Sequence, residues 1–164
     1  MEGQAHVQSV LLVNTNISTD CYTILPLMHS DITAVRFKGE NCYLSFFNIY
    51  NEITNNDTIN YLNSFLVRNV HLVWPAITDS IIWLGNFKCH HPIWEDDLNE
   101  RLFEPADFIT PLIDLLYKNE MLLALHKGLP TYQSVAGNRT RPDNIWQCNT
   151  LDNPITCCKV VPAI

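Results

Sequence analysis

Short apolar runs broken by polar turns dominate the chain. Residues 7–13 ("VQSVLLV") are β-rich and run into the turn-prone "NTNISTD", which predicts a first strand. Residues 32–37 ("ITAVRF") and 42–50 ("CYLSFFNIY") flank a turn at Lys38 and Gly39 and predict a hairpin. After the polar loop "NEITNNDT", Ile59, Leu62, Phe65 and Leu66 recur at the spacing of one helical face, with Asp57 or Thr58 as the cap. Residues 81–84 ("IIWL") form a short run with apolar neighbours on either side, the pattern of a central strand buried on both faces.

A second helix is expected between residues 105 and 118, with Pro111 inside it. Proline either kinks a helix or opens one. The preferred reading starts the helix at Pro111, with Thr110 as N-cap and Leu112, Leu115 and Leu116 facing the core. "KGLP" reads as a turn, and residues 144–148 and 155–161 as the last two strands. The order is strand-rich, with two interspersed helices and no internal repeat. It predicts an α/β fold of the α+β kind, a partial two-sheet β-sandwich flanked by helices, rather than a parallel Rossmann sheet. Neither G-x-G-x-x-G nor a Walker motif occurs.

Composition narrows the class. A chain of 164 residues, 47% apolar and 16% charged, suits one globular domain with a real core. No apolar run approaches the length of a membrane span, so no membrane contact is expected. "MEGQAHVQSV" has neither a basic start nor an apolar stretch. The expectation is therefore an intracellular protein, nuclear or cytoplasmic. Its six cysteines (Cys21, Cys42, Cys89, Cys148, Cys157 and Cys158) would then be buried free thiols, and the N-x-[ST] sequons at Asn16, Asn56 and Asn138 idle. The net charge of −7 opposes holding nucleic acid by bulk electrostatics. An enzyme whose metal ion offsets its acids remains compatible.

Polar groups gather at four predicted strand ends: "NIY" (48–50), "GNFKCHHPIW" (85–94), "LPTY" (129–132) and "RTRPDNIW" (139–146). Strand ends are where a fixed backbone lets side chains reach solvent. Taken one at a time, each has an ordinary explanation. Asn48 and Tyr50 can end a strand, His90 and His91 can be a solvated loop, and Asp143 after Pro142 can be a turn. Glu95, Asp96 and Asp97 read most simply as a solvated face that starts a helix. Zinc at Cys89, His90 and His91 is disfavoured, because adjacent residues rarely converge on one tetrahedral centre and no second half-site follows. A Cys-His nucleophile pair is disfavoured likewise, since nothing places one residue to activate the other.

Taken together, "NIY", "GNFKCHHPIW", "GLPTYQS" and "TRPDNIW", in that order, resemble the endonuclease/exonuclease/phosphatase superfamily. The resemblance is to the endonuclease domains of non-long-terminal-repeat retrotransposons, and it runs from about residue 10 to residue 164. It implies metal-assisted phosphodiester cleavage of DNA, with Mg²⁺ held by carboxylate oxygens. Carried over, Asn86 stands where the family has a catalytic Asp, and Lys88 where it has a phosphate-orienting Asn. Asp143 sits in the matching third motif, and Tyr50 lies near the phosphate. Asn48, Lys88, His90, His91, Trp94, Thr131 and Arg141 would line the substrate side.

The departures carry equal weight. An amide at position 86 holds no negative charge for a metal or a proton. A lysine at position 88 attracts phosphate and repels Mg²⁺. The family's early Asn and metal-binding Glu, and its terminal Asp-His pair, are expected to be missing from this single domain spanning residues 1–164. No metal ligand is therefore assigned. Three outcomes compete: a Mg²⁺-dependent DNA-nicking enzyme, a non-catalytic relic, and a nucleic-acid-binding module built on residues 90–94 with Arg139 and Arg141. The acids Glu95, Asp96, Asp97, Glu100 and Glu104 oppose the last. A sandwich short of an outer strand would also leave a sheet edge for a partner or a further segment to cover.

Overall fold

The computed structural model describes residues 7–52, 54–74 and 76–149. The expected strand at 155–161, together with Cys157 and Cys158, lies outside them. Within the described residues the chain is a mixed α/β fold with a six-stranded sheet and a separate two-stranded ribbon.

Strands β1 (Tyr22–Ile24), β2 (Ile32–Lys38) and β3 (Tyr43–Tyr50) form an antiparallel meander, with the expected hairpin turn at Gly39. Helices α1 (Asp57–Arg68) and α2 (Val70–Val73) then cross over to β4 (Ser80–Asn86), which lies parallel to β3. A 3-10 helix (Asp97–Leu102) and α3 (Ala106–Lys118) lead to β5 (Met121–Leu123). The ribbon β6 (Tyr132–Gln133) and β7 (Arg139–Thr140) precedes β8 (Asp143–Cys148), which inserts between β4 and β5. The sheet order is β1-β2-β3-β4-β8-β5. As its pattern indicated, β4 is central, and its residues 80–83 are buried on both faces.

Strand registers sort the side chains. Phe47, Trp83 and Trp146 align across three strands on one face. They share one core with Ile59, Leu62, Phe65 and Leu66 of α1 and with Ile109, Leu112, Leu115 and Leu116 of α3. Both helices bury the stripe that the sequence marks, which is where an amphipathic helix gains its stability. On the opposite face Val35 and Ile82 are buried, Phe46, Leu84 and Ile145 half-buried, and Ile24 and Leu122 largely exposed. The edges, β1 and β5, are three residues each.

Three expectations are corrected. Residues 7–13 form no strand: Ser9 is buried and tethered through its hydroxyl to the Asn48 carbonyl (2.8 Å), while its own carbonyl accepts from the Thr33 hydroxyl (2.7 Å). Side-chain bonds, rather than a backbone ladder, hold this segment to β2 and β3. Asn56, not Asp57 or Thr58, occupies the N-cap position of α1, and its side chain makes no cap bond there. Helix α3 begins at Ala106 with Pro105 at its cap, so Pro111 lies inside it. The missing N–H of Pro111 strips the Asp107 carbonyl of its helical partner, and the side-chain amide of Asn56 donates to that oxygen at 3.5 Å.

Candidate functional site

The site begins at the end of β4. Gly85 has φ +136°, and a β-carbon there would run into the backbone of Ile49 on β3. Only glycine lets the two strands approach so closely. The register then fixes three side chains: Tyr50 pairs with Asn86 in the parallel ladder, and Asn86 with Asp143 in the antiparallel one. Tyr50, Asn86 and Asp143 therefore form a row on the open face of the sheet, at one end. Sequence reasoning singled out all three, and the fold brings them together.

Beyond Asn86 the backbone turns sharply. The Lys88 N–H donates to Asn86 Oδ1 at 2.9 Å, a local turn that holds Lys88 at φ +46°. Its Nζ lies 4.5 Å from the centroid of the Tyr50 ring. The neighbouring Tyr50 raises the lysine above its ordinary value, partial burial works the other way, and the nearby Glu52 carboxylate adds to the rise. At the other end of the row, the Asp143 N–H donates to Thr131 Oγ1 at 3.2 Å. Burial raises the Asp143 carboxyl, and a hydrogen bond from Thr131 partly opposes that. Thr131 thus belongs to the site through Asp143.

The rest of the expected substrate side is structural. Arg141 is fully buried, and its guanidinium donates to the carbonyls of Trp94 (3.2 Å), His126 (2.6 Å) and Leu125 (3.4 Å). It clamps two loops and reaches no solvent-borne ligand. Trp94 is fully buried too, edge-on to Trp146 with centroids 5.5 Å apart, and its Nε1 donates to the Cys89 carbonyl. Asn48 donates its amide to the Val10 carbonyl at 3.1 Å, so segment 7–13 occupies it. His91 packs on Trp94 at 5.2 Å and accepts from the Ile93 N–H, and burial lowers its basicity.

Glu95 overturns the reading of a solvated acidic face: it is 1% exposed. His90 Nδ1 lies 2.7 Å from its carboxylate, Asn99 Nδ2 donates at 2.7 Å, and the Arg141 N–H donates at 3.1 Å. A buried carboxylate survives only when bonded in this way. His90 is thereby a partner of Glu95, not part of an open loop. Asp96 does cap the 3-10 helix, its side chain accepting from the Leu98 N–H. Cys89 and Cys148 are buried as expected, whereas Cys21 and Cys42 are exposed; burial pushes the Cys89 thiol far above the ordinary range. Asn51 is a positioning residue the sequence did not single out: it is buried and donates to the Phe87 carbonyl at 3.1 Å, bracing the turn after β4. Asn51 carries no local signal, since its partner is a backbone carbonyl 36 residues away, whereas Glu95 has two side-chain partners close in sequence, His90 and Asn99, and one distant backbone donor, Arg141.

The row does not fit the Mg²⁺ that the family resemblance implies. Mg²⁺ needs several hard oxygen ligands. Here Asp143 is the row's only carboxylate, the Asn86 oxygen is spent on the Lys88 N–H, and an ammonium stands beside them. Among the described residues no group of three or more His, Cys, Asp or Glu side chains is arranged to hold a metal ion.

Solved structures place this architecture. The endonuclease domain of TRAS1, a telomere-specific non-LTR retrotransposon, superimposes with a TM-score of 0.60 at 14% identity over 80% of this chain. The AP endonuclease LMAP from Leishmania major superimposes with a TM-score of 0.58 at 8% identity over 74% of this chain. The described residues share the fold of these two endonucleases. It spans 57% of the TRAS1 domain and 47% of LMAP, so about half of each neighbour has no counterpart here. No protein-family model and no curated protein matches the sequence. Among the described residues no helix is long and apolar enough to cross a membrane.

Proposed function

We propose that this chain is a nuclease-fold domain of retroelement type that does not itself hydrolyse phosphodiesters. The observation that carries this reading is the row Tyr50–Asn86–Asp143. Two of its three members are neutral, Asn86 among them where the family resemblance implies a carboxylate, and the neighbouring cation Lys88 repels a metal ion. DNA is the partner that the resemblance suggests. The acidic total charge limits affinity to what the local groups supply. A metal-dependent step is not assigned to these residues, because their donor set does not suit it.

Removing members of a catalytic group that acts as a unit abolishes nearly all of its effect. The test is a plasmid-nicking assay with Mg²⁺ or Mn²⁺, on the chain and on Asn86→Asp with Lys88→Asn. Wild type is expected to leave supercoiled DNA intact. Metal-dependent nicking by the unaltered chain would refute the reading. Nicking gained only by the double substitution would support it and identify the two positions as the lesion.

A further inference from the structure

We propose that the pocket between the C-terminal ends of α1 and α3 binds a small amphiphilic carboxylate, its hydrocarbon body in the pocket and its anionic end on Lys118 and Asn63. This goes beyond the preceding reading and does not depend on it. The pocket lies on the helix side of the sheet, and the row Tyr50–Asn86–Asp143 on the other.

Helix α1 ends at Arg68, and α2 turns away from it at Asn69 without an intervening loop. The bend leaves a pocket of about 270 Å³ against the end of α3. Leu66 and Val73, both buried, and the half-buried Trp74 line it. Val67 and Val70 line it too and are 58% and 55% exposed, so its apolar surface continues to the rim. A cavity of about 150 Å³ with such walls accepts a benzene ring. This larger pocket has room for a body of roughly eight carbons.

The polar end carries one sign of charge. Lys118 Nζ donates to Asn63 Oδ1 at 2.9 Å, which tethers the ammonium beside the pocket. The lysine keeps two N–H bonds, and Asn63, having spent its oxygen, keeps its amide nitrogen to donate. Among the described residues no acid lines the pocket, and no ion pair includes Lys118. Asp114, one turn earlier on α3, borders the neighbouring hollow instead. The chain carries −7 overall, yet this pocket sets an unneutralised cation beside apolar walls. Two donor groups with one positive charge match the two oxygens of a carboxylate. A bare hydrocarbon would leave them unused, and an apolar cation would meet like charge.

The test titrates the whole chain with octanoate, below its micelle concentration, and in parallel with octylammonium, the same chain with the opposite charge. The Trp74 indole N–H resonance, assigned with Trp74→Phe, reads the pocket by NMR. Octanoate is expected to shift it saturably, with a dissociation constant on the order of 1 mM for so small a ligand. Octylammonium should bind at least about fivefold more weakly. Lys118→Gln keeps a good helix former and removes the charge, and it should weaken octanoate about fivefold, as for loss of one charge-assisted bond. Lys118→Glu should invert the order of the two ligands. Circular dichroism checks that both variants fold, and the comparison of the two ligands on the unaltered chain stands without them. No saturable shift with octanoate, octylammonium binding as tightly as octanoate, or Lys118→Gln equal to wild type overturns the proposal. The nicking assay bears only on the preceding reading.

Discussion

Asn86 faces Asp143 directly across the β4–β8 ladder, an amide against the row's single carboxylate. In such a pair the acid gains no fixed positive charge from its neighbour, while burial penalises its ionised form. Its carboxyl is therefore raised above the ordinary value of 3.8.

The sign of the consequence follows from proton binding. The folded chain holds the Asp143 proton more tightly than the unfolded chain does, so this group favours folding below the ordinary Asp value. That advantage is lost as pH rises from 3.8 through the raised value. Asp143→Asn should remove this loss and be as stable as wild type, or more so, at neutral pH. Urea midpoints measured across that window should show it, and a destabilised Asp143→Asn at pH 7 would contradict it.

Gly85 lies one step before Asn86, with its α-carbon against Ile49. Gly85→Ala meets both a forbidden φ and the neighbouring strand backbone. The expected outcome is loss of soluble folded protein, or destabilisation of more than about 3 kcal/mol. Circular dichroism and thermal melting would read this, and near-wild-type melting would contradict the close approach of β3 and β4.

Arg141 stabilises loops and not a ligand. Arg141→Leu leaves the carbonyls of Trp94, Leu125 and His126 without their donor. A cost of about 3 kcal/mol is expected from loss of a buried, bonded charge. Chemical denaturation should report it. Loss of ligand affinity with stability intact would instead move Arg141 into the site.

Pro111 interrupts the hydrogen bonding of α3, and Asn56 compensates across the gap between helices. Pro111→Ala restores an N–H to the Asp107 carbonyl. A gain of about 1–3 kcal/mol is expected, from helix propensity and the recovered bond. Asn56→Ala should then cost less in the Pro111→Ala background than in wild type. Equal costs in both backgrounds would show that the Asn56 bond does not replace the helical one.

Much of the architecture was legible locally. The hairpin of β2 and β3, the buried stripe of α1 and the central position of β4 follow from short-range periodicity, which burial on one or both faces imposes directly. The row of Tyr50, Asn86 and Asp143 was legible only through the order of motifs. Its members are 36 and 57 positions apart, and no local pattern reveals that strand registers align them. The start of α3 was misjudged because proline favours the first helical position, a local signal at Pro111 that the fold overrides by starting the helix at Ala106.

Sequence by itself determined which residues were apolar, where turns fell and which polar types stood at the strand ends, because backbone geometry and hydration act on neighbours. Tertiary structure alone decided which polar groups are working surface and which are internal struts. Arg141 and Glu95 look like surface charge in the sequence, yet both are buried, Arg141 among distant carbonyls and Glu95 against the distant Arg141 N–H as well as its neighbours His90 and Asn99. Lys88 looks like a stray substitution, yet it lies against Tyr50. The difference arises because desolvation and hydrogen-bond partners come from segments brought together only by the sheet.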